Sequence, residues 1–327
     1  LEFAHARNVK IVAVLETHIH ADFAAGTKTL AEATGAEVWA SAYDDGESFW
    51  CDLTPQQSAL YRHVQEKSER ELFDLEARFK EATGLETVRI TPTASANPQT
   101  ILHQVGAAAS SLLLETLKDG DTICITGGKG VSAVVETLNP DHGYDVEVVP
   151  ATGLVQGKHY TDVNHVATQM AEKLGGRAFL LHAPLFAESV KEKNMLMGMK
   201  SVTEAFDRAR KARVAVVGIG SILASDSSYY DLHPSSRDDR AEIEKSGAAG
   251  ELLAHLIDRQ GKLCDYELNA RLVAMSPREL DAIPVTIGVA AGPNKVAPIC
   301  AALRGRHLKA LVLDEATANG ILEQIDT

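Results

Sequence analysis

Val285 to Leu322 reads VTIGVAAGPNKVAPICAALRGRHLKALVLDEATANGIL. The β-branched run Val285 to Val289 ends in the turn residues Ala291-Gly292-Pro293-Asn294-Lys295, and a helical stretch follows from Lys295 to Arg304. A second apolar run, Ala310 to Leu313, leads into another helical stretch from Glu315 to Glu323. Strands this short and apolar, separated by helices, are buried on both faces. They pair in parallel, because each crossover helix returns the chain to the same end of the sheet.

The same rhythm extends upstream as far as Gly84. Apolar runs at Thr87 to Ile90, Thr122 to Thr126, Val146 to Val149, Phe179 to Leu181, Val214 to Gly218 and Leu272 to Met275 predict strands. Helical stretches at Gln99 to Leu117, Val131 to Thr137, His165 to Lys173, Val202 to Lys211 and Pro277 to Asp281 separate several of them. The fold class is therefore α/β, a mostly parallel sheet with helices on both faces. Ligands of such sheets sit beyond the carboxyl ends of the strands, so binding residues are expected in the loops that follow strands.

Four of those loops carry the same chemistry. Thr126-Gly127-Gly128-Lys129-Gly130 lies between a strand and a helix, and Thr152-Gly153 follows Val146 to Val149. Gly218-Ile219-Gly220-Ser221 ends the run from Val214, and Ala291 to Lys295 follows Val285 to Val289. Glycines let backbone N–H groups turn toward an anion, and a helix N-terminus adds partial positive charge. The first loop is not a Walker motif, which needs GxxxxGK[ST], so nucleotide binding is not implied. A single Gly-rich turn is as readily structural as functional, but four on one sheet edge make a polar, anion-friendly cleft. Lys295 stands where a helix begins, against the macrodipole's preference for acids. An anionic ligand there resolves the conflict, and a lysine pointing into solvent is the alternative.

Composition narrows the partners. The formal net charge of −13 repels nucleic-acid phosphates, and no local basic element offsets it, so these residues are not expected to bind DNA. Cys51, Cys124, Cys264 and Cys300 are far apart and form no CxxC pair. Neither a zinc knuckle nor a disulfide framework is suggested, and the expectation is reduced thiols in a cytoplasmic protein without a cofactor. No apolar run is long enough to span a membrane.

The order GDTICITGGKGVSAVVETL (Gly120 to Leu138), VVPATG (Val148 to Gly153), AVVGIGSI (Ala215 to Ile222) and the block from Val285 to Leu322 resembles the effector domain of SorC-type bacterial transcription regulators, over roughly residues 66 to 325. The resemblance implies a fold similar to the NagB/RpiA/CoA-transferase-like enzymes, a phosphorylated sugar or polyol as effector, and a homo-oligomer, dimer or tetramer. It carries the phosphate-binding loop over to Thr126, Gly127, Gly128, Lys129 and Gly130, and the effector-contacting lysine to Lys295. Thr152, Gly153, Gly218, Gly220 and Ser221 match loops lining the same cleft, and Asp265 falls near a family acidic position that meets sugar hydroxyls. Many relatives have a hydroxyl-rich loop where this chain has Gly128-Lys129-Gly130, so the effector need not be a common sugar phosphate. Arg177, His182, Lys158 and His159 are candidates for further contacts, with surface or core roles as the alternative.

The first residues read differently. Val9 to Leu15, a loop from Glu16, a helical stretch Thr27 to Thr34 and a run Ala36 to Ser41 form a β-loop-α-β unit. Its loop holds His18, His20 and Asp22 in the HxHxD pattern, and Val14 to Ser41 resembles the persulfide-dioxygenase-like branch of the metallo-β-lactamase fold. Two imidazoles so spaced can face one metal, but a working site in that fold draws on later ligands, and nothing after residue 50 supplies them. The division expected is a fragment at 1–50, a linker helix over 51–84 (Thr54 to Thr83, stopped by Gly84), and an effector domain over 85–327. No helix-turn-helix precedes that helix. An isomerase or deaminase using Asp226 or Asp314 as base, and a metal-dependent oxygenase or hydrolase, are the competing functions.

Overall fold

The computed structural model describes residues 13–16, 37–40 and 70–325, apart from 94–96, 156–159, 223–226 and 233–239. Contacts divide the chain into two compact units, Leu1–Asp74 and Leu75–Thr327. In the first, β1 (Ala13–Glu16) and β2 (Glu37–Ala40) pair in parallel, with Ala13 opposite Glu37 and Glu16 opposite Ala40. The helical stretch of that reading, His18, His20 and Asp22 lie outside the described residues.

Helix α1 is described over residues 70–83. It ends as its sequence dictates: Gly84 adopts φ +72° and donates its N–H to the Lys80 carbonyl at 2.8 Å. Leu75 and Phe79, one turn apart, are buried while the charged residues between them are not. The Glu76 carboxylate accepts the Ile90 N–H at 2.8 Å, tying the helix to the strand that follows.

Along the second unit come β3 (Thr87–Thr91), α2 (Pro98–Thr116), β4 (Thr122–Ile125), α3 (Lys129–Thr137), β5 (Glu147–Pro150), α4 (Val163–Leu174) and β6 (Arg177–Ala178). Next are α5 (Val190–Met197), α6 (Lys200–Arg210), β7 (Val214–Gly220), α7 (Arg240–Lys245), β8 (Ala248–Leu252), β9 (His255–Asp258) and α8 (Glu267–Ala270). The chain closes with β10 (Val285–Val289), α9 (Val296–Arg304), β11 (Ala310–Asp314) and α10 (Glu315–Ile325). The parallel strands lie in the order β3-β11-β10-β7-β4-β5-β6, and β8 and β9 extend β7 as an antiparallel hairpin.

That order contains a reversal. From β4 the chain steps outward through β5 to β6, then returns to the other side of β4 and runs through β7, β10 and β11. The loops leaving β4 and β7 therefore diverge and open a crevice at the carboxyl edge between them. Alternation along the strands supplies the two covered faces. Ile123, Ile125, Val148, Val214, Val216, Ile287, Val289 and Val312 form one core with Val105 and Leu113 of α2, Val134 of α3 and Met170 of α4. Cys124 turns the other way, its thiol 3.8 Å from the Met275 sulfur, and α6 packs against β4 and β5. Each large apolar side chain removed from water this way contributes about 1.5–3 kcal/mol.

Two predicted strands are corrected. The pairing predicted at Phe179 to Leu181 is made by Arg177 and Ala178, against Glu147 and Val148. Leu272 to Met275 forms isolated bridges, Leu272 with Phe186 and Ala274 with Thr152, instead of a sheet strand. Leu272 to Met275 is apolar because it is buried, and Phe179 to Leu181 is partly buried with Leu181 fully so; burial without a ladder partner leaves the same pattern in a sequence. The β8–β9 hairpin and α5 were not anticipated; α5 has no buried residue and so no apolar stripe to read.

Candidate functional site

The sheet order brings the four candidate loops side by side, because β10, β7, β4 and β5 are consecutive neighbours. Hydrogen bonds then link them. At the reversal, the Thr126 hydroxyl accepts the Gly218 N–H at 3.2 Å. The Tyr160 carbonyl, beyond β5, accepts the Gly128 N–H at 2.6 Å, and the Lys129 ammonium lies 5.9 Å from the Tyr160 ring centroid. Lys295 reaches from the loop after β10 to the end of β7, where its Nζ donates to the Ile219 carbonyl at 2.7 Å. Its half-buried side chain thus crosses the cleft edge instead of extending into solvent.

The glycines divide by role. Gly128 and Gly292 adopt φ +115° and +100°, a conformation that side chains resist, and each turns the chain from a strand end into a helix. Gly153 is there for space: a Cβ would stand 2.5 Å from the Pro184 carbonyl oxygen. Gly220 leaves room for the Glu251 carboxylate opposite it on β8. The expectation that all these glycines free their N–H groups for an anion is therefore refined, since the Gly128 and Gly153 N–H groups already bond to Tyr160 and Val273 carbonyls. Thr152 and Ser221 are buried, and the Ser221 carbonyl accepts the Ser227 hydroxyl.

Helix starts differ in a telling way. α2, α4 and α5 begin with side-chain caps from Asn97, Asp162 and Ser189. The start of α3 at Gly128 has none, nor has the turn from Gly292 into α9. α6 and α8 also start without a side-chain cap, at Met199 and Tyr266, so the two starts that follow candidate loops stand out by their place at the sheet edge. There the helix dipole adds positive potential, offset in part at Gly292, whose N–H the Asp314 carboxylate and the Thr317 hydroxyl accept.

Glu251 is a residue that sequence reasoning missed. Burial pushes its carboxyl up to about 7, against the opposing pull of the Ala254 N–H, which it accepts at 2.5 Å, and of the nearby Lys295 charge. The signal was present as a lone acid in the apolar run Ala248 to Ile257, a flag for a charge held inside. Asp265 lines a 680 Å³ cavity with Lys245, Glu267 and Arg271, and no residue of the four loops lines that cavity; its neighbours Cys264 and Tyr266 cluster with Ile222, next to Ser221. Arg177 bonds Glu147 at the amino ends of β5 and β6, at the opposite sheet edge from the loops. His182 is exposed, and Lys158 and His159 lie outside the described residues. Asp314 is committed to structure: buried, it accepts the Gly292 N–H at 2.7 Å, the Thr317 N–H at 3.1 Å and the Thr93 hydroxyl at 3.3 Å. Among the described residues no group of three or more His, Cys, Asp or Glu side chains could hold a metal.

Comparison with known proteins decides what kind of domain this is. The family model described as "Putative sugar-binding domain" matches residues 68–323. The chain belongs to the sugar-binding domains of SorC/DeoR-type transcriptional regulators. The erythritol catabolism regulatory protein EryD of Brucella abortus is 27% identical over 259 residues, covering 78% of this chain and 80% of that regulator. The transcriptional regulator LsrR of an Enterobacter species is 28% identical over 251 residues, covering 76% of this chain and 75% of its own. Among solved structures, a transcriptional regulator from Streptococcus pneumoniae is 25% identical with a TM-score of 0.72, over 79% of this chain and 99% of that one. The full-length sorbitol operon regulator SorC of Klebsiella pneumoniae shares the fold, with a TM-score of 0.70 at 22% identity, over 81% of this chain and 90% of that one. The sugar-binding domain is thus a sensing module whose relatives are regulators, not isomerases or deaminases. In such regulators a separate domain contacts DNA.

Proposed function

We propose that the cleft between the β4 and β7 loops binds a phosphorylated sugar or polyol, and that the occupied domain signals to a DNA-binding domain. The observation that carries this reading is the pairing of two uncapped helix starts with a cation and an acid at one crevice. The α3 start, with Thr126 to Gly130, suits a phosphoryl group, because amide dipoles converge where anionic oxygens need donors. Lys295 supplies the fixed positive charge, and Glu251 supplies an acceptor for hydroxyls, as polyol recognition requires. Gly218 keeps the β7 end free of a side chain, Gly220 makes room there for the Glu251 carboxylate, and Thr152, Gly153 and Ser221 shape the neighbouring wall. Ligand occupancy shifts a conformational balance only by binding one state better, so the reading includes a homo-oligomer, dimer or tetramer, whose packing differs between states, in a cytoplasmic regulator.

The test is a thermal-shift panel of sugar phosphates and polyol phosphates against their unphosphorylated forms. Phosphorylated members are expected to raise Tm by linkage without being consumed. Lys295→Ala is expected to weaken that response roughly tenfold in ligand concentration, about 1.4 kcal/mol. A panel in which unphosphorylated sugars act equally well overturns the phosphate assignment, and turnover of the stabilising compound overturns the sensor reading.

A further inference from the structure

At the other end of the sheet, the amino ends of β10 and β11, a 420 Å³ concavity is lined by Lys262, Arg278 and Arg304 around the ring of His307, with Asp281 as its one carboxylate. Three cations against one anion is a local reversal in a chain whose net charge is −13. Elsewhere on this edge arginines are matched: Arg208 with Glu147, Arg210 with Glu279, Arg213 with Asp121. Here, among the described residues, the Lys262 ammonium and the Arg278 guanidinium have no carboxylate within ion-pair range, and Arg304 donates only to the Arg259 carbonyl, at 3.3 Å. Arg278 also stands in the first turn of the 3-10 helix Pro277–Ala282, where a cation opposes the helix dipole.

The floor of the concavity is built. His307 is 4% exposed, and its Nε2 lies 2.8 Å from the Gly261 carbonyl, so that nitrogen carries the proton and donates. Gly305 packs against the ring in a space that a Cβ would fill. Nδ1 is buried with no hydrogen-bond partner; the Asp281 carboxylate stops 3.7 Å away, beyond hydrogen-bond range. With Nε2 protonated, Nδ1 is a buried acceptor left without a donor, which the P–OH of a singly protonated phosphoryl group would supply, while the unmatched cations around it mark a place short of an anion.

We infer that this concavity is a second anion site, for the phosphoryl group of a small metabolite, separate from the strand-end cleft. A phosphoryl group supplies what the pocket lacks, several anionic oxygens for Arg278, Arg304 and Lys262 at once, and arginine forks match its geometry. α9 follows directly on Lys295 in the cleft and ends at Arg304 in this pocket, so an anion here bears on the element next to the cleft's cation.

Inorganic phosphate is the probe, titrated into the full chain at constant ionic strength balanced with chloride, with Tm as readout. The Lys295→Ala variant removes the cleft's cation and is the background; Arg278→Gln and Arg304→Gln are added to it together. Expected is a phosphate-dependent rise in Tm in the Lys295→Ala background, with its half-saturating concentration raised roughly tenfold or more by the two glutamines. Equal Tm values in chloride alone verify that the glutamine variant is folded. A response abolished by Lys295→Ala overturns the second site and leaves the cleft reading standing. A response that the glutamines do not change means an adventitious ion only and also overturns it. A response untouched by Lys295→Ala but lost with the glutamines supports the second site and counts against the cleft.

Discussion

Glu251 holds a carboxyl whose value near 7 lies above the usual 4.5 because burial disfavours its charge. The folded form therefore keeps a proton that the unfolded chain has released, and stability falls as pH rises between those two values. Glu251→Gln removes the penalty. The variant is expected to exceed the wild type by up to about 3 kcal/mol near pH 8, with the gap closing toward about pH 5, in denaturant titrations at the two pH values. A gap that does not depend on pH refutes the assignment. Gly153 makes the opposite kind of demand. A methyl there meets the Pro184 carbonyl oxygen, so Gly153→Ala is expected to lose about 2–3 kcal/mol, read as a lower denaturant midpoint. Both residues show the limit of reading types along a chain. The glycine-rich loops were visible, but which glycine turns the backbone and which yields space depends on neighbours distant in sequence, Pro184 for Gly153 and Glu251 for Gly220.

Elements were legible where a pattern had a cause within the element. β10 appears where its β-branched run lies, and α1 stops at Gly84 because that residue alone tolerates the turn. The hairpin of β8 and β9 was not legible. Its two turn residues, Leu253 and Ala254, adopt φ +54° and +63° without the Asn-Gly or Gly-Gly signal that usually marks such turns. The exit of α9 is similar: Arg306 holds φ +58° where glycine is the common choice, and it is exposed. Arg306→Gly relieves a left-handed conformation without uncovering apolar surface, and a gain of about 0.5–1 kcal/mol is expected in denaturant unfolding. A loss places the arginine's aliphatic stem in a stabilising contact.

At the scale of the molecule, the contacts separate Leu1–Asp74 from Leu75–Thr327, and the family match begins at residue 68. A chain starting at residue 68 is accordingly expected to unfold in one cooperative transition and to keep the sugar-phosphate response of the full chain. Loss of either assigns the earlier residues a part in the domain's stability. Periodicity and strand-end glycines alone determined an α/β sheet with its binding loops at one edge, since burial on both faces and tight strand-to-helix turns leave local marks. The order in which the strands lie was decided only by the tertiary structure. Long-range pairing put β7 beside β4 and opened the crevice between them, and brought Glu251 to Lys295 from a hairpin without a turn signal. Those outcomes rest on which apolar faces cover which, and that choice is made between segments, not within them.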